Sequence, residues 1–154
     1  MRSLYVASSM TFMADISRLE LIETSTLDEV NVLLKQLSER VPTCSLELLK
    51  SVIGSESSEL WVVKEEGKIV GMGQLVIILK LEGVIAQVED VVVDETRRGK
   101  GLGKMISEKL IERAKARGVH MLQLESNPTR TAANTLYQKL GFIVHETNVY
   151  RLKL

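Results

Sequence analysis

Val91-Val-Val-Asp-Glu-Thr-Arg-Arg-Gly-Lys-Gly-Leu-Gly-Lys-Met105 (VVVDETRRGKGLGKM) decides the fold. An apolar run stops at Asp94, a basic glycine-rich loop follows, and Leu102, Met105, Ile106, Leu110 and Ala114 then recur at helical spacing. A strand that hands over to a helix through such a loop presents several backbone N–H groups to an anion at the positive end of the helix dipole. A nucleoside triphosphate loop needs G-x-x-x-x-G-K-[ST], with the hydroxyl on Mg²⁺. Here Arg98 stands where the first glycine belongs, and Met105 follows Gly103-Lys104. A dinucleotide loop needs G-x-G-x-x-G and an acidic residue about 20 positions on. Gly99, Gly101 and Glu125 suit it, but Lys104 takes the third glycine's place, and too little chain remains for further β-α pairs.

Outward from the loop, the pattern is mixed α/β. Leu19–Thr24 reads as a strand, and Thr26-Leu-Asp-Glu29 as a capping box opening a helix with Leu27, Val30, Leu33, Leu34 and Leu37 on one face. Pro42 ends it, and Thr43 is placed to cap a second helix through about Ile53. Leu60–Lys64, Ile69–Leu79 and Val84–Val93 form three strands joined by short turns, an antiparallel meander. Gly71 and Gly73 mark close packing or a bulge. The helix over Gly101–Arg117 and the strand Val119–Glu125 complete a β-α-β unit, so this strand should run parallel to Val84–Val93. Asn127-Pro128 is placed to start a last helix carrying Ala133, Leu136, Tyr137 and Leu140 inward. Phe142–His145 and Val149–Leu154 are expected as closing strands, which exposed edges could pair across a homodimer.

The 154 residues suit one domain, and 20 acidic against 20 basic side chains argue against general nucleic-acid binding. Arg97, Arg98, Lys100 and Lys104 have no interleaved aromatic residues to stack on bases. A single cysteine, Cys44, excludes an internal disulfide and a multi-cysteine zinc site, and its apolar setting gives it a packing role. His120 and His145 offer little for a metal centre, and none is expected. No apolar run is long enough to cross a membrane. Residues 1–14 are too polar for a signal peptide and read as a flexible N-terminal extension to a single domain over 15–154. A cytoplasmic location is the default expectation.

A third loop pattern, R/Q-x-x-G-x-G/A at a strand-to-helix junction, is met in full by Arg98-Gly-Lys-Gly101-Leu-Gly103. With the V-V-V-D strand end, the element order and Asn134-Thr-Leu-Tyr137-Gln-Lys-Leu-Gly-Phe142, the chain from about Leu19 to Leu154 resembles the GNAT superfamily of acetyl-CoA-dependent N-acetyltransferases. The resemblance implies a central mixed sheet of six to seven strands flanked by about four helices. It also implies an acetyl-CoA cosubstrate, with backbone N–H groups of Arg98, Gly99, Lys100, Gly101, Leu102, Gly103 and Lys104 on the pyrophosphate. Arg97, Lys100 and Lys104 would add charge to the phosphates. Backbone groups of Val91, Val92 and Val93 would pair with the pantetheine arm like an added strand, one N–H serving the oxyanion. Asn134 would bond that arm or a backbone carbonyl.

By the same resemblance Tyr137 is the general acid for the leaving thiolate, a role its ordinary pKa of about 10 suits. Glu89 and Asp90 interrupt an apolar strand, which is costly unless they are paired or functional. Regular alternation turns only one of them to the cleft. Glu89 resembles the family's base and Asp90 a structural or substrate contact, although a bulge would reverse the pair. Glu-Asp-x-x-Val is also similar to glucosamine-6-phosphate N-acetyltransferases, but the amino-terminal half carries no evident sugar-phosphate signature. The implied activity is direct acetyl transfer to a primary amine of a small molecule or protein. A non-catalytic acetyl-CoA sensor needs the same loop but neither Tyr137 nor Glu89.

Overall fold

The computed structural model describes residues 14–154. The expected extension over 1–14 lies outside these residues except for Ala14, which packs against the core. Five strands make one sheet among the described residues: β1 (Asp15–Arg18), β2 (Ser58–Glu65), β3 (Lys68–Lys80), β4 (Gly83–Val93) and β5 (Met121–Leu124). They lie side by side in chain order, the first four antiparallel and β5 parallel to β4. Helices α1 (Thr26–Leu37) and α2 (Leu46–Gly54) precede β2; α3 (Leu102–Ala116) joins β4 to β5, and α4 (Thr131–Lys139) follows β5.

Two apolar cores follow from strand alternation. Val30, Leu33 and Leu49 of α1 and α2 meet Val62, Met72 and Val92 on one face. Ile106, Leu110 and Ala114 of α3 meet Leu75, Ala86 and Val88 on the other. α3 approaches β3 so closely that a Cβ on Gly73 would lie 2.7 Å from Ile106 Cγ2, which accounts for the small residue there. A buried carboxylate fixes the far end of α3. Glu59 of β2, fully buried, accepts from Arg113 Nε and Nη2 at 2.9 and 3.0 Å, from Trp61 Nε1 at 3.0 Å and from Arg117 Nη1 at 3.4 Å. These bonds hold its carboxyl down at about 2, the Arg113 hydrogen bond contributing most.

Several expectations need correction. The sheet has five strands rather than six to seven, because Phe142–His145 and Val149–Leu154 find no ladder partner among the described residues. Ile143, Val144, Tyr150, Leu152 and Leu154 consequently stand exposed. The first strand is Asp15–Arg18, not Leu19–Thr24, because pairing with β2 stops at Arg18↔Trp61. Leu19 still enters the core, but Leu21 is exposed. The capping box does not close: Thr26 is already helical, its Oγ1 accepts from Glu23 N, and Glu29 reaches across to Ile69 N. α2 is capped by Ser45, not Thr43, its side chain accepting from Leu48 N at 3.1 Å. Asn127-Pro128 makes a turn in which Asn127 Oδ1 accepts from Thr129, and α4 starts only at Thr131.

Candidate active site

β4 and β5 pair only from Ile85↔Met121 to Val88↔Leu124. Beyond Val88 the parallel strands separate, and the carboxyl end of β4 has an open edge. The end of the pairing leaves an opening in which an extended arm can lie as an added strand. A bulge shapes that edge. Gln74 faces Glu89 and Met72 faces Val92, so one residue of β3 opposes two of β4, and Asp90 takes φ = 51°. Ahead of the bulge, Ala86 and Val88 face α3; after it, Val91 and Val93 do. The phase has changed by one residue. Regular alternation therefore fails here, and Glu89 and Asp90 line the same cleft. The expectation that only one would do so is corrected.

That cleft has a volume of about 430 Å³. Glu89, Asp90 and Val91 of β4, Arg130 and Tyr137 around α4, and Arg151 of the C-terminal segment are among its walls. Burial raises the Glu89 carboxyl, helped by the neighbouring charges of Asp90 and Glu125. Burial alone raises Asp90. Both changes move these groups towards neutral pH, where a carboxylate becomes a better proton acceptor. Tyr137 is buried, its ring edge-on to Phe142 with centroids 5.9 Å apart. Desolvation raises its phenol, and Arg130 opposes this weakly, so the hydroxyl keeps its proton.

At the loop, Gly99 and Gly101 take φ = +78° and +83°, and nothing lies within 4 Å of where a Cβ would project. The backbone there is free for close approach by a ligand. Gly101 brings no side chain to cap α3, and the first N–H groups of a helix have no acceptor within it. Those of Leu102, Gly103 and Lys104 thus meet the requirement for a pyrophosphate, while the Leu102 side chain is buried in the core. Arg98 Nε donates to Val93 O at 3.0 Å and ties the loop to the end of β4. Lys100 and Lys104 are exposed. Arg97, expected at the phosphates, instead pairs with Glu65 at 2.7 Å.

The three valines divide. Val92 faces Met72 in the ladder and turns to the core. Val91 O and Val93 O face away from β3 and accept from Arg130 Nη2 (3.3 Å) and Arg98 Nε (3.0 Å). Since N–H and C=O of a strand residue point the same way, Val91 and Val93 offer the cleft their N–H groups and Val92 does not. Asn134 Nδ2 donates to Asn127 O at 3.0 Å, stapling the β5–α4 connection. Of its two expected partners, this is the backbone carbonyl.

Sequence reading missed Arg130 and Arg151. Arg130 is held at the cleft by Val91 O, and Arg151 reaches it by pairing with Glu125 at 2.6 Å. Neither sits in a recognisable motif, and both arrive through irregular chain. Cys44 packs beside the α1–α2 core. Burial, then the charge of Asp90, raises its thiol, so it is protonated at neutral pH. Among the described residues, no three His, Cys, Asp or Glu side chains gather to hold a metal ion, and no helix is long and apolar enough to cross a membrane.

Comparison with known proteins agrees with this geometry. Residues 27–142 match the model of the acetyltransferase (GNAT) family. A glucosamine 6-phosphate N-acetyltransferase of Trypanosoma brucei brucei is 33% identical over 143 residues, covering 87% of this chain and 95% of that protein. The crystal structure of a Trypanosoma brucei acetyltransferase is similar at a TM-score of 0.75 and 31% identity, covering 92% of this chain and all of the other. The glucosamine-6-phosphate N-acetyltransferase of Arabidopsis thaliana is similar at a TM-score of 0.74 and 25% identity, over 91% of this chain and 98% of that one. A five-stranded mixed sheet that parts beyond Val88, an uncapped glycine loop and these likenesses converge: the chain belongs to the GNAT family of acetyltransferases.

Proposed function

We propose that the protein transfers the acetyl group of acetyl-CoA to a primary amine, of a small molecule or a protein, by direct attack. The observation that carries this is the continuity of the open β4 edge. At one end lie the uncapped N–H groups of α3; at the other lies a cleft holding Tyr137, Glu89 and Asp90. Acetyl-CoA supplies the activated acyl group. Glu89 takes a proton from the substrate ammonium, directly or through water, leaving a neutral amine to attack the thioester carbon. The N–H of Val91 or Val93 faces the developing oxyanion. As the C–S bond breaks, Tyr137 gives its proton to sulfur and recovers one from the new amide nitrogen. The products are the N-acetyl compound, CoA thiol and one released proton.

Calorimetry with acetyl-CoA, paired with CoA-thiol release across an amine panel, tests this reading. Binding with amine-dependent thiol release is expected. Tight binding without turnover on any amine would make the protein a sensor instead. The exposed apolar segment after α4 supports a homodimer in which these residues pair between copies. Sedimentation that gives a monomer at all concentrations would exclude that assembly.

A further inference from the structure

A second cavity, about 370 Å³, lies between α1, α2 and the sheet. Its volume falls within the range of about 300–1,000 Å³ usual for small-molecule sites. Leu48 and Val52, with the core residues Leu34, Leu49, Leu60 and Met72, are among its walls. Among the described residues, no arginine, lysine or histidine lines it. Its one charged side chain is Asp90, which together with Val41 also lines the first cleft. Asp90 is thus a door-post between an apolar chamber and the cleft that holds Tyr137 and Glu89. The outer wall is fixed: Cys44 N donates to Asn31 Oδ1 at 2.7 Å, and Asn31 Nδ2 donates to Cys44 O at 3.0 Å.

We propose that this chamber receives the body of the acceptor, and that the protein acetylates primary amines bearing an apolar group, aliphatic or aromatic, in preference to phosphorylated amino sugars. The inference rests on the acetyl-transfer reading. Asp90 meets the ammonium at the junction, so that the nitrogen projects into the first cleft beside Glu89. The apolar body stays among the leucines, where its burial is favourable. A phosphate there would meet no cation and would lie near a carboxylate, which disfavours it strongly. Nothing in the chamber matches the sugar phosphate named for two of the similar proteins; the cations Arg130 and Arg151 lie in the first cleft, on the far side of Asp90.

The test compares kcat/KM for isoamylamine, phenethylamine, ethanolamine and glucosamine 6-phosphate, and measures how fast a disulfide reagent modifies Cys44 with and without phenethylamine. The apolar amines should exceed the other two at least about tenfold, since even one methylene in an apolar pocket is worth about that. Phenethylamine should slow Cys44 modification several-fold, because Cys44 lines the chamber. Equal or better use of glucosamine 6-phosphate or ethanolamine would overturn the inference and leave acetyl transfer standing. Turnover of phenethylamine without protection of Cys44 would overturn the assignment of the chamber. If no amine consumes acetyl-CoA, acetyl transfer itself fails. Cys44 protection then decides alone whether the chamber holds an apolar amine, and its absence overturns that too.

Discussion

At the scale of single residues, Tyr137 and the Glu89-Asp90 pair carry the proposed chemistry. Tyr137→Phe keeps the edge-on contact with Phe142 and removes only the proton donor. It should lower kcat by about 100-fold or more, with little change in thermal stability or acetyl-CoA affinity. Full kcat in that variant would contradict the assignment. Asp90 is different, because its raised carboxyl carries a stability cost. The unfolded chain gives up this proton at lower pH than the folded one. The stabilising balance therefore holds below the ordinary aspartate range and is lost as pH rises through the raised folded value. Asp90→Asn tolerates the positive φ and removes that cost. At neutral pH it should melt higher than the parent yet turn over more slowly, as calorimetric scanning and a rate assay will read. A lower melting temperature would place Asp90 in a paired, stabilising role.

At the scale of elements, the loop and the bulge behave differently as signals. Gly99, Gly101 and Gly103 follow a spacing dictated by backbone approach to an anion, so the strand–loop–helix unit was legible from VVVDETRRGKGLGKM alone. The meander and the α3–β5 crossover were legible too, since alternation and right-handed connection leave few choices. The bulge was legible only as an alternative, at Gly71 or Gly73 and at the Glu89-Asp90 pair. Its position, with Asp90 at φ = 51° where the β3–β4 register slips between Met72 and Gln74, depends on strand pairing that no local pattern encodes. Helix starts failed for a related reason. Ser45 and a turn at Asn127 won over Thr43 and Asn127-Pro128 because the sequence offers several good capping residues and local hydrogen bonds close at only some of them. Gly101→Val tests the loop as an element. A branched residue at φ = +83° strains the start of α3 and puts methyl groups where the pyrophosphate would lie. KM for acetyl-CoA should rise at least about tenfold, the cost of a residue forced into that region being about 1–2 kcal/mol before any clash. An unchanged KM would detach the loop from cofactor binding.

At the scale of the whole molecule, one buried carboxylate ties the two halves of the sheet's α3 face together. Glu59 binds Arg113 and Arg117 of α3's end from β2, and Lys109 and Arg113 stand over the Trp61 ring at 5.4 and 5.8 Å. Its carboxyl is depressed from 4.5 to about 2. Its stabilisation is therefore complete above the unfolded value of 4.5 and is lost as pH falls from there towards about 2. Glu59→Gln should cost about 3 kcal/mol at pH 7, with the gap to the parent closing as pH falls through that window in urea titrations. A gap independent of pH would mean that packing, not charge, is what Glu59 supplies.

The central claim joins all three scales: the open β4 edge delivers an acetyl group to an amine held at Glu89 and Asp90. Mass spectrometry of amines incubated with the protein and isotope-labelled acetyl-CoA measures this most directly. The account predicts labelled N-acetyl product in equal number to CoA thiol released, both lowered together by about 100-fold or more in the Tyr137→Phe variant. Thiol release without labelled amide, or label appearing on Cys44, would contradict direct transfer.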